Sequence, residues 1–288
     1  MIKTAMQLKA KLRNLSRTSL ASTQDLASIF MLERFLERIS VSEYSHCFVL
    51  KGGMLLASML GVNARMTADM DVTLAGETLS IERMQTVLQE IAAIDLGDNV
   101  SFSFHHMQHI METHDYPGIQ AKGSAKIDNT VIPVKLDIST GDVITPGAIE
   151  YAYPLMFEDR SLRLQTYNLE TVLAEKLISL AEHGVGNTRM RDYYDIHVLS
   201  RTFRERIDPK TLADALAATA RQRHVEGSAG TIQRLLPEMA DSPELQALWQ
   251  NYGKGAAYAR DVTWTDVLDS AAAVLDFAGL ARSMPAGG

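Results

Sequence analysis

Asp69 and Asp71 are one residue apart in the run Arg65-Met66-Thr67-Ala68-Asp69-Met70-Asp71-Val72-Thr73-Leu74, and a third acid, Asp137, lies in a second alternating run, residues 131–138. Strand side chains repeat every two residues. Read as a strand, residues 68–74 put Asp69, Asp71 and Thr73 on one face and Met70, Val72 and Leu74 on the other. Residues 131–138 likewise put Lys135 and Asp137 opposite Ile132, Val134, Leu136 and Ile138. Carboxylates so placed suit Mg²⁺ or Mn²⁺, hard ions that take carboxylate, water and phosphate oxygens. A pair of such ions can activate an attacking oxygen and stabilise a leaving pyrophosphate. Upstream, Gly52-Gly53 stops a short apolar run; glycine lets backbone approach a triphosphate, and the N-terminus of the helix expected next favours negative charge. Metal-assisted phosphoryl or nucleotidyl transfer is the chemistry this set could do. An isolated Asp-x-Asp is usually a solvated strand end, and a Gly-Gly pair usually only a turn. The specificity lies in their order: glycine turn, helix, Asp-x-Asp strand, then a strand with Lys-x-Asp.

The second half of the chain adds ionisable residues on helical faces. At about 100° per residue, Lys176 falls beside the stripe of Leu173, Leu177 and Leu180, which aims it inward. Asp192 shares a face with Ile196 and Leu199, with Asp195 three residues on. A buried charge needs a partner. A structural ion pair between Asp192 and Lys176 or an arginine is one reading. The other is a phosphate-binding Lys176 oriented by Asp192. Snorkelling at the rim of the stripe is the plain alternative for Lys176.

These residues need elements to hold them. Residues 25–39 carry Leu26, Ile29, Leu32, Phe35, Leu36 and Ile39 at helical spacing, with Asp25 in the first turn. Residues 47–50 read as a buried strand, 54–60 as a helix, and 81–94 as a surface helix. Residues 100–111 read as a strand running into irregular structure. Pro133 points to a sheet edge or an unpaired N–H position for the 131–138 strand. From Tyr167 the pattern is helical almost throughout, with breaks at 184–188 and 227–230. The organisation expected is a helical segment over 1–46, a core over 47–165 and a helical domain over 166–288, with 284–288 disordered.

Composition narrows the class. With 288 residues, 46% apolar and 22% charged, the chain reads as an ordinary globular protein. Cys47 is the single cysteine, which removes a disulfide framework and fits a core position in a reducing compartment. No apolar stretch reaches the roughly 18 residues of a membrane span, so a cytoplasmic location is expected. Lys3, Lys9, Lys11, Arg13 and Arg17 superficially resemble a transit peptide but run into an amphipathic helix. The net charge of −7 argues against generic nucleic-acid binding, which leaves local patches such as that N-terminal segment or Arg189, Arg191, Arg201, Arg204 and Arg206. His105, His106, His109 and His114 cluster without the spacing of a zinc site. The absence of G-x-S-x-G, G-x-x-x-x-G-K-[ST] and G-x-G-x-x-G removes serine-hydrolase, P-loop and dinucleotide readings.

The segments LERFLERIS, FVLKGGMLL, Arg65-x-Thr-x-Asp-x-Asp, VKLDIS, YNLETVLAEKL and TRMRDYYDIHVL together resemble the AbiEii-type nucleotidyltransferase toxins of the DNA polymerase β-like nucleotidyltransferase superfamily. The resemblance implies an α+β fold: a nucleotidyltransferase-type mixed β-sheet core flanked by helices, a C-terminal helical domain, and an active site in the cleft between them. It implies Asp69, Asp71 and Asp137 as metal ligands and Asp137 as an aid to deprotonating the acceptor hydroxyl. Lys51, Gly52, Gly53, Thr67 and Lys176 are then expected to bind nucleotide, and Lys176 and Asp192 to complete the catalytic set. Arg65, Glu170, Arg191 and Asp195 take supporting positions. Many superfamily members carry Gly-Ser where this chain has Gly52-Gly53, so a hydroxyl contact to phosphate is missing. The resemblance further implies NTP as substrate, the toxin role in a bacterial toxin–antitoxin or phage-defence system, an antitoxin that acts as a DNA-binding repressor, and an RNA acceptor such as the tRNA 3′ end. A protein or small-molecule acceptor, or an inactive nucleotide-binding relative, are the alternatives.

Overall fold

The computed structural model describes residues 1–67, 69–76, 78–110, 118–225 and 228–280. His114 and residues 284–288 of the sequence reading lie outside them. The chain divides into two compact units, one of Met1–Asp142 with Ala148–Tyr167 and one of Val143–Gly147 with Asn168–Gly288.

The first unit is built on a seven-stranded mixed sheet. In chain order its strands are β1 (Phe48–Lys51), β2 (Met70–Leu74), β3 (Val100–Ile110), β4 (Gly118–Ile127), β5 (Thr130–Thr140), β6 (Ile149–Pro154) and β7 (Ser161–Thr166), and in space they run β3-β4-β5-β2-β1-β7-β6. The pairs β1/β7 and β2/β5 are parallel and the rest antiparallel. Helices α1 (Ala5–Ser16), α2 (Thr23–Val41), α3 (Gly52–Leu60) and α4 (Ile81–Ala92) complete the unit.

Helix α2 is its central support. Ser22 caps it by accepting the Asp25 N–H, and every residue from Leu26 to Ile39 is buried. The apolar stripe, widened by Ala27, Phe30 and Met31, explains most of that burial. Glu33, Arg34, Glu37 and Arg38 form a buried charged set: Arg34 pairs with Glu37 (2.8 Å) and Glu158 (3.2 Å), and Arg160 bonds Glu37 (2.6 Å) and Glu158 (2.8 Å). Arg38 holds Asp98 through two bonds of 2.9 Å and also donates to the Val100 carbonyl. Glu33 accepts the Met156 N–H on both oxygens at 3.2 Å.

Burial raises the Glu33 carboxyl to about 8, against the opposing pull of that N–H and of Arg34. The folded protein therefore keeps a proton that the unfolded chain releases above its ordinary value of 4.5. Stability from this group is complete below that value and is lost as pH rises through about 8. Unfolding free energies from urea titrations at pH 5 to 9 are expected to fall with pH, by up to about 1.4 kcal/mol per unit from this one group. Glu33→Gln should flatten that slope.

Helix α3 starts at Gly52 rather than at residue 54, because Gly52 takes a left-handed φ of 64° and turns the chain directly into the helix. Strand β2 starts at Met70, so Asp69 precedes it; Ala68 lies outside the described residues. Residues 100–110 form one continuous strand, since β4, an alternating run that the sequence reading passed over, pairs along its length with a register shift between Phe104 and His106. Strand β5 is interior, yet its pairing with β2 begins only at Leu136, so Pro133 has a paired neighbour on the β4 side alone. Lys3, Lys9, Lys11, Arg13 and Arg17 are exposed around α1, whose Leu8 and Leu12 are buried. His105, His106 and His109 are exposed on β3, and Cys47 is buried.

The second unit is helical: α5 (Leu169–His183), α6 (Met190–Thr202), α7 (Pro209–Gln222), α8 (Ser228–Asp241), α9 (Pro243–Gly255) and α10 (Trp264–Phe277). In its core Tyr193 and Trp249 pack on Trp264, with ring centroids 4.9 and 6.0 Å from that of Trp264. Among the described residues, no helix is long and apolar enough to cross a membrane.

Candidate active site

Strand register in the first unit aligns one row of polar side chains across five strands. Gln108 of β3 lies opposite Gln120 of β4, Gln120 opposite Asp137 of β5, Asp137 beside Asp71 of β2, and Asp71 opposite Lys51 of β1. Paired residues share a face, so the row is continuous. Gln120 Nε2 donates to Asp137 Oδ1 at 2.9 Å, and Gln108 Nε2 to Gln120 Oε1 at 3.4 Å. Lys51 turns to Asp142, whose Oδ2 lies 2.6 Å from its ammonium, and Ser139 donates to the same oxygen at 2.5 Å. Burial works against the Asp142 charge, but Lys51 and the hydroxyls of Ser139 and Thr73 hold its carboxyl below the usual range.

Asp71 carries its charge at a cost. Burial pushes its carboxyl up, the Asp137 and Asp69 charges push the same way, and the Gly53 N–H and Lys51 charge oppose them. The Gly53 N–H, at the N-terminus of α3, donates to Asp71 Oδ2 at 3.3 Å. A Cβ on Gly52 would sit 2.2 Å from that same oxygen, and one on Gly53 would sit 2.7 Å from Thr67 Oγ1. The glycines thus permit a close approach of α3 to the acid row. Gly52→Ala combines this overlap with an unfavourable φ. It is expected to displace Asp71 and cut transfer roughly 100-fold, read as single-turnover rate at saturating nucleotide.

One row along, Lys135 of β5 points to the same face as Asp137. Its Nζ lies 2.8 Å from Asp69 Oδ2 and 3.3 Å from Asp137 Oδ2. Burial lowers the Lys135 ammonium, but the hydrogen bond to Asp69 and the Asp137 charge more than offset it, leaving it above its ordinary value. Thr67 is buried and shapes the approach to β2: its hydroxyl donates to the Asp69 carbonyl at 3.2 Å and accepts the Asp69 N–H at 3.4 Å. Arg65, also buried, bonds the Met66 carbonyl.

In the second unit Lys176 of α5 meets two acids of α6, Asp192 Oδ1 at 2.9 Å and Asp195 Oδ2 at 2.7 Å. Asp195 is fully buried, whereas Lys176 and Asp192 keep 14% and 13% exposure. Helical phase turned Lys176 inward, as its spacing indicated, but Asp195 is the more deeply buried partner. Arg189 Nε lies 3.7 Å from Asp192, and Arg191 is exposed. Glu170 accepts the Asp208 N–H at 2.9 Å and so anchors the start of α7.

Sequence reasoning overlooked Gln108, Gln120, Asp142 and the bridging position of Lys135. Signals were available for Lys135, its parity with Asp137, and for Gln120, which lies on the polar side of the alternating run 119–127.

Residues 34–270 match the family described as nucleotidyl transferase AbiEii toxin of a type IV toxin–antitoxin system. The chain belongs to the AbiEii family. It is therefore a nucleotidyltransferase, and the family brings NTP as substrate and an antitoxin as partner. No curated protein matches it. Among solved structures, a protein from H. pylori assigned as a nucleotidyltransferase is 16% identical with a TM-score of 0.53, over 90% of this chain and 95% of that one. JHP933 from Helicobacter pylori is 16% identical with a TM-score of 0.51, over 90% and 92%. At this identity both likenesses speak to the fold, and they support the mixed α/β nucleotidyltransferase architecture of this AbiEii chain.

Proposed function

We propose that this AbiEii protein transfers the nucleoside monophosphate of an NTP to a hydroxyl of an RNA, with the tRNA 3′ end as acceptor, and releases pyrophosphate. The acceptor oxygen forms its bond to the α-phosphorus as the bond to the β-phosphate oxygen breaks, and the acceptor proton passes to Asp137. The observation that carries the reading is the alignment of Asp71 with Asp137 beside Asp69, on a face that already holds a cation, the Lys135 ammonium.

A divalent metal, Mg²⁺ or Mn²⁺, fits this face by its chemistry. The donors are ionisable carboxylates, the ligand type such ions prefer, and mutual repulsion already strains Asp71. Asp69, Asp71 and Asp137 would hold it; it would supply positive charge to the triphosphate and acidify the acceptor hydroxyl. Gly52 and Gly53 would keep backbone close to the triphosphate, with the first turn of α3 favouring its charge. Lys51, on the same row, is held by Asp142 and offsets the charge of Asp71. Lys176 and Asp192 are assigned to the same reaction from the family resemblance.

The antitoxin is proposed to be a DNA-binding repressor, and the pair to act in phage defence. An RNA acceptor is supported by exposed basic residues, Lys9, Lys11 and Arg13 on α1 among them, despite the net negative charge. The test is to incubate the protein with NTP labelled at the α-phosphate and total bacterial RNA, then to treat with nuclease or protease and sequence the tRNA 3′ ends. Nuclease-sensitive label with extended tRNA ends is the expected result. Label that survives nuclease but not protease would replace the RNA acceptor with a protein.

A further inference from the structure

We propose that Lys135 is the resident counter-cation of the carboxylate set, and that its ammonium has to leave Asp69 and Asp137 before a divalent ion can take their oxygens. The inference rests on the metal reading above and adds a positioning residue that controls metal entry.

Its basis is geometric. Lys135 and Asp137 share a face of β5 through the two-residue strand period. The β2/β5 register pairs Met70 with Leu136, which brings Asp69, the residue before Met70, alongside Lys135. The single ammonium thereby reaches Asp69 Oδ2 at 2.8 Å and Asp137 Oδ2 at 3.3 Å. Among the described residues, no group of three or more His, Cys, Asp or Glu side chains is gathered to hold a metal ion as it stands. The lysine occupies the negative field that two of the three proposed ligands would offer. At 30% exposure on a flexible four-carbon stem, it can swing to solvent without disturbing the sheet.

Two consequences follow from charge alone. Without metal, Lys135 relieves repulsion among acids drawn together by strand register. With metal, the same ammonium competes for two ligands, so the apparent affinity is the intrinsic one multiplied by the fraction of molecules in which the lysine has withdrawn. Removing it should tighten metal binding and weaken the metal-free fold.

The test uses the full chain without nucleotide, titrated with Mn²⁺ and read by the electron paramagnetic resonance of free Mn²⁺, with melting temperature measured alongside. Lys135→Met is expected to bind Mn²⁺ on the order of tenfold more tightly than wild type and Lys135→Arg at wild-type strength. The metal-free Lys135→Met protein should melt below wild type, with the gap closing at saturating Mn²⁺. Lys135→Gln, which keeps a polar side chain, replaces Lys135→Met if the latter does not fold. Equal affinity in wild type and the neutral variants, or weaker binding in those variants, would overturn the counter-cation role and leave the metal reading standing. Failure of wild type and all variants to bind Mn²⁺ would overturn the metal reading itself, and the inference with it.

Discussion

Asp71→Asn is expected to lower nucleotidyl transfer by roughly 1,000-fold while the protein melts at or above the wild-type temperature. The two halves of that result have one cause. Burial and the neighbouring Asp137 and Asp69 charges raise the Asp71 carboxyl, so the ionised form is disfavoured in the folded protein. By linkage, a carboxyl held above its ordinary value costs stability as pH rises past that value. An amide removes that cost and still offers an oxygen to the Gly53 N–H. It also removes the negative charge that a cation and its triphosphate would need. Single-turnover rates and thermal melts on the same preparation check both halves. Normal transfer by the variant would remove Asp71 from the active set, and a collapsed melt would make Asp71 a structural residue.

The largest effect on stability is expected from Asp98→Ala, a loss of about 3–5 kcal/mol. Arg38 and Asp98 are each 1% exposed and meet in a two-bond pair. Burial alone would raise Asp98, but the Arg38 hydrogen bonds, the Val100 N–H and the Arg38 charge hold it below the usual range. Deleting Asp98 leaves the Arg38 guanidinium buried with two backbone carbonyls, those of Arg34 and Val100. That is a charge without a counter-charge. Urea denaturation of Asp98→Ala against wild type measures the loss directly. The paired replacement Arg38→Met with Asp98→Leu should recover most of it, because an apolar pair of similar volume avoids the desolvation cost. A loss under about 1 kcal/mol in the single variant would mean that the pair behaves as a surface ion pair.

How far the site could be read before the fold was seen depends on which contacts are local. Parity within a strand is local, so the shared faces of Asp71 with Thr73 and of Lys135 with Asp137 followed from spacing. Helical phase is local too, and it turned Lys176 toward the interior. Register between strands is not local: Asp71 and Asp137 are brought side by side by a parallel pairing that no spacing encodes. Gln120 lies on the polar side of strand β4, whose alternation of Ile119, Ala121, Gly123, Ala125 and Ile127 with polar residues is local, but the register that sets it opposite Asp137 is not. Asp142 became visible only when Lys51 was seen to turn toward it. In α6 the heptad-like spacing favoured Asp192 as the inward acid, but tertiary packing buries Asp195 completely and leaves Asp192 partly open. Helix α2 shows the opposite limit. Its apolar stripe was plain, yet nothing in the sequence named the partners of Arg34 and Arg38, since Asp98, Glu158 and Arg160 arrive from distant segments.

The fate of the label distinguishes transfer of a nucleotide from transfer of a phosphate. Two parallel incubations, with label on the α-phosphate or on the γ-phosphate of the same NTP, separate nucleotidyl transfer from other phosphoryl chemistry. The expected result is acceptor-bound label from the α-position only, pyrophosphate released one for one, and loss of both in Asp71→Asn. Acceptor-bound label from the γ-position, or equal α-labelling by wild type and Asp71→Asn, would contradict it.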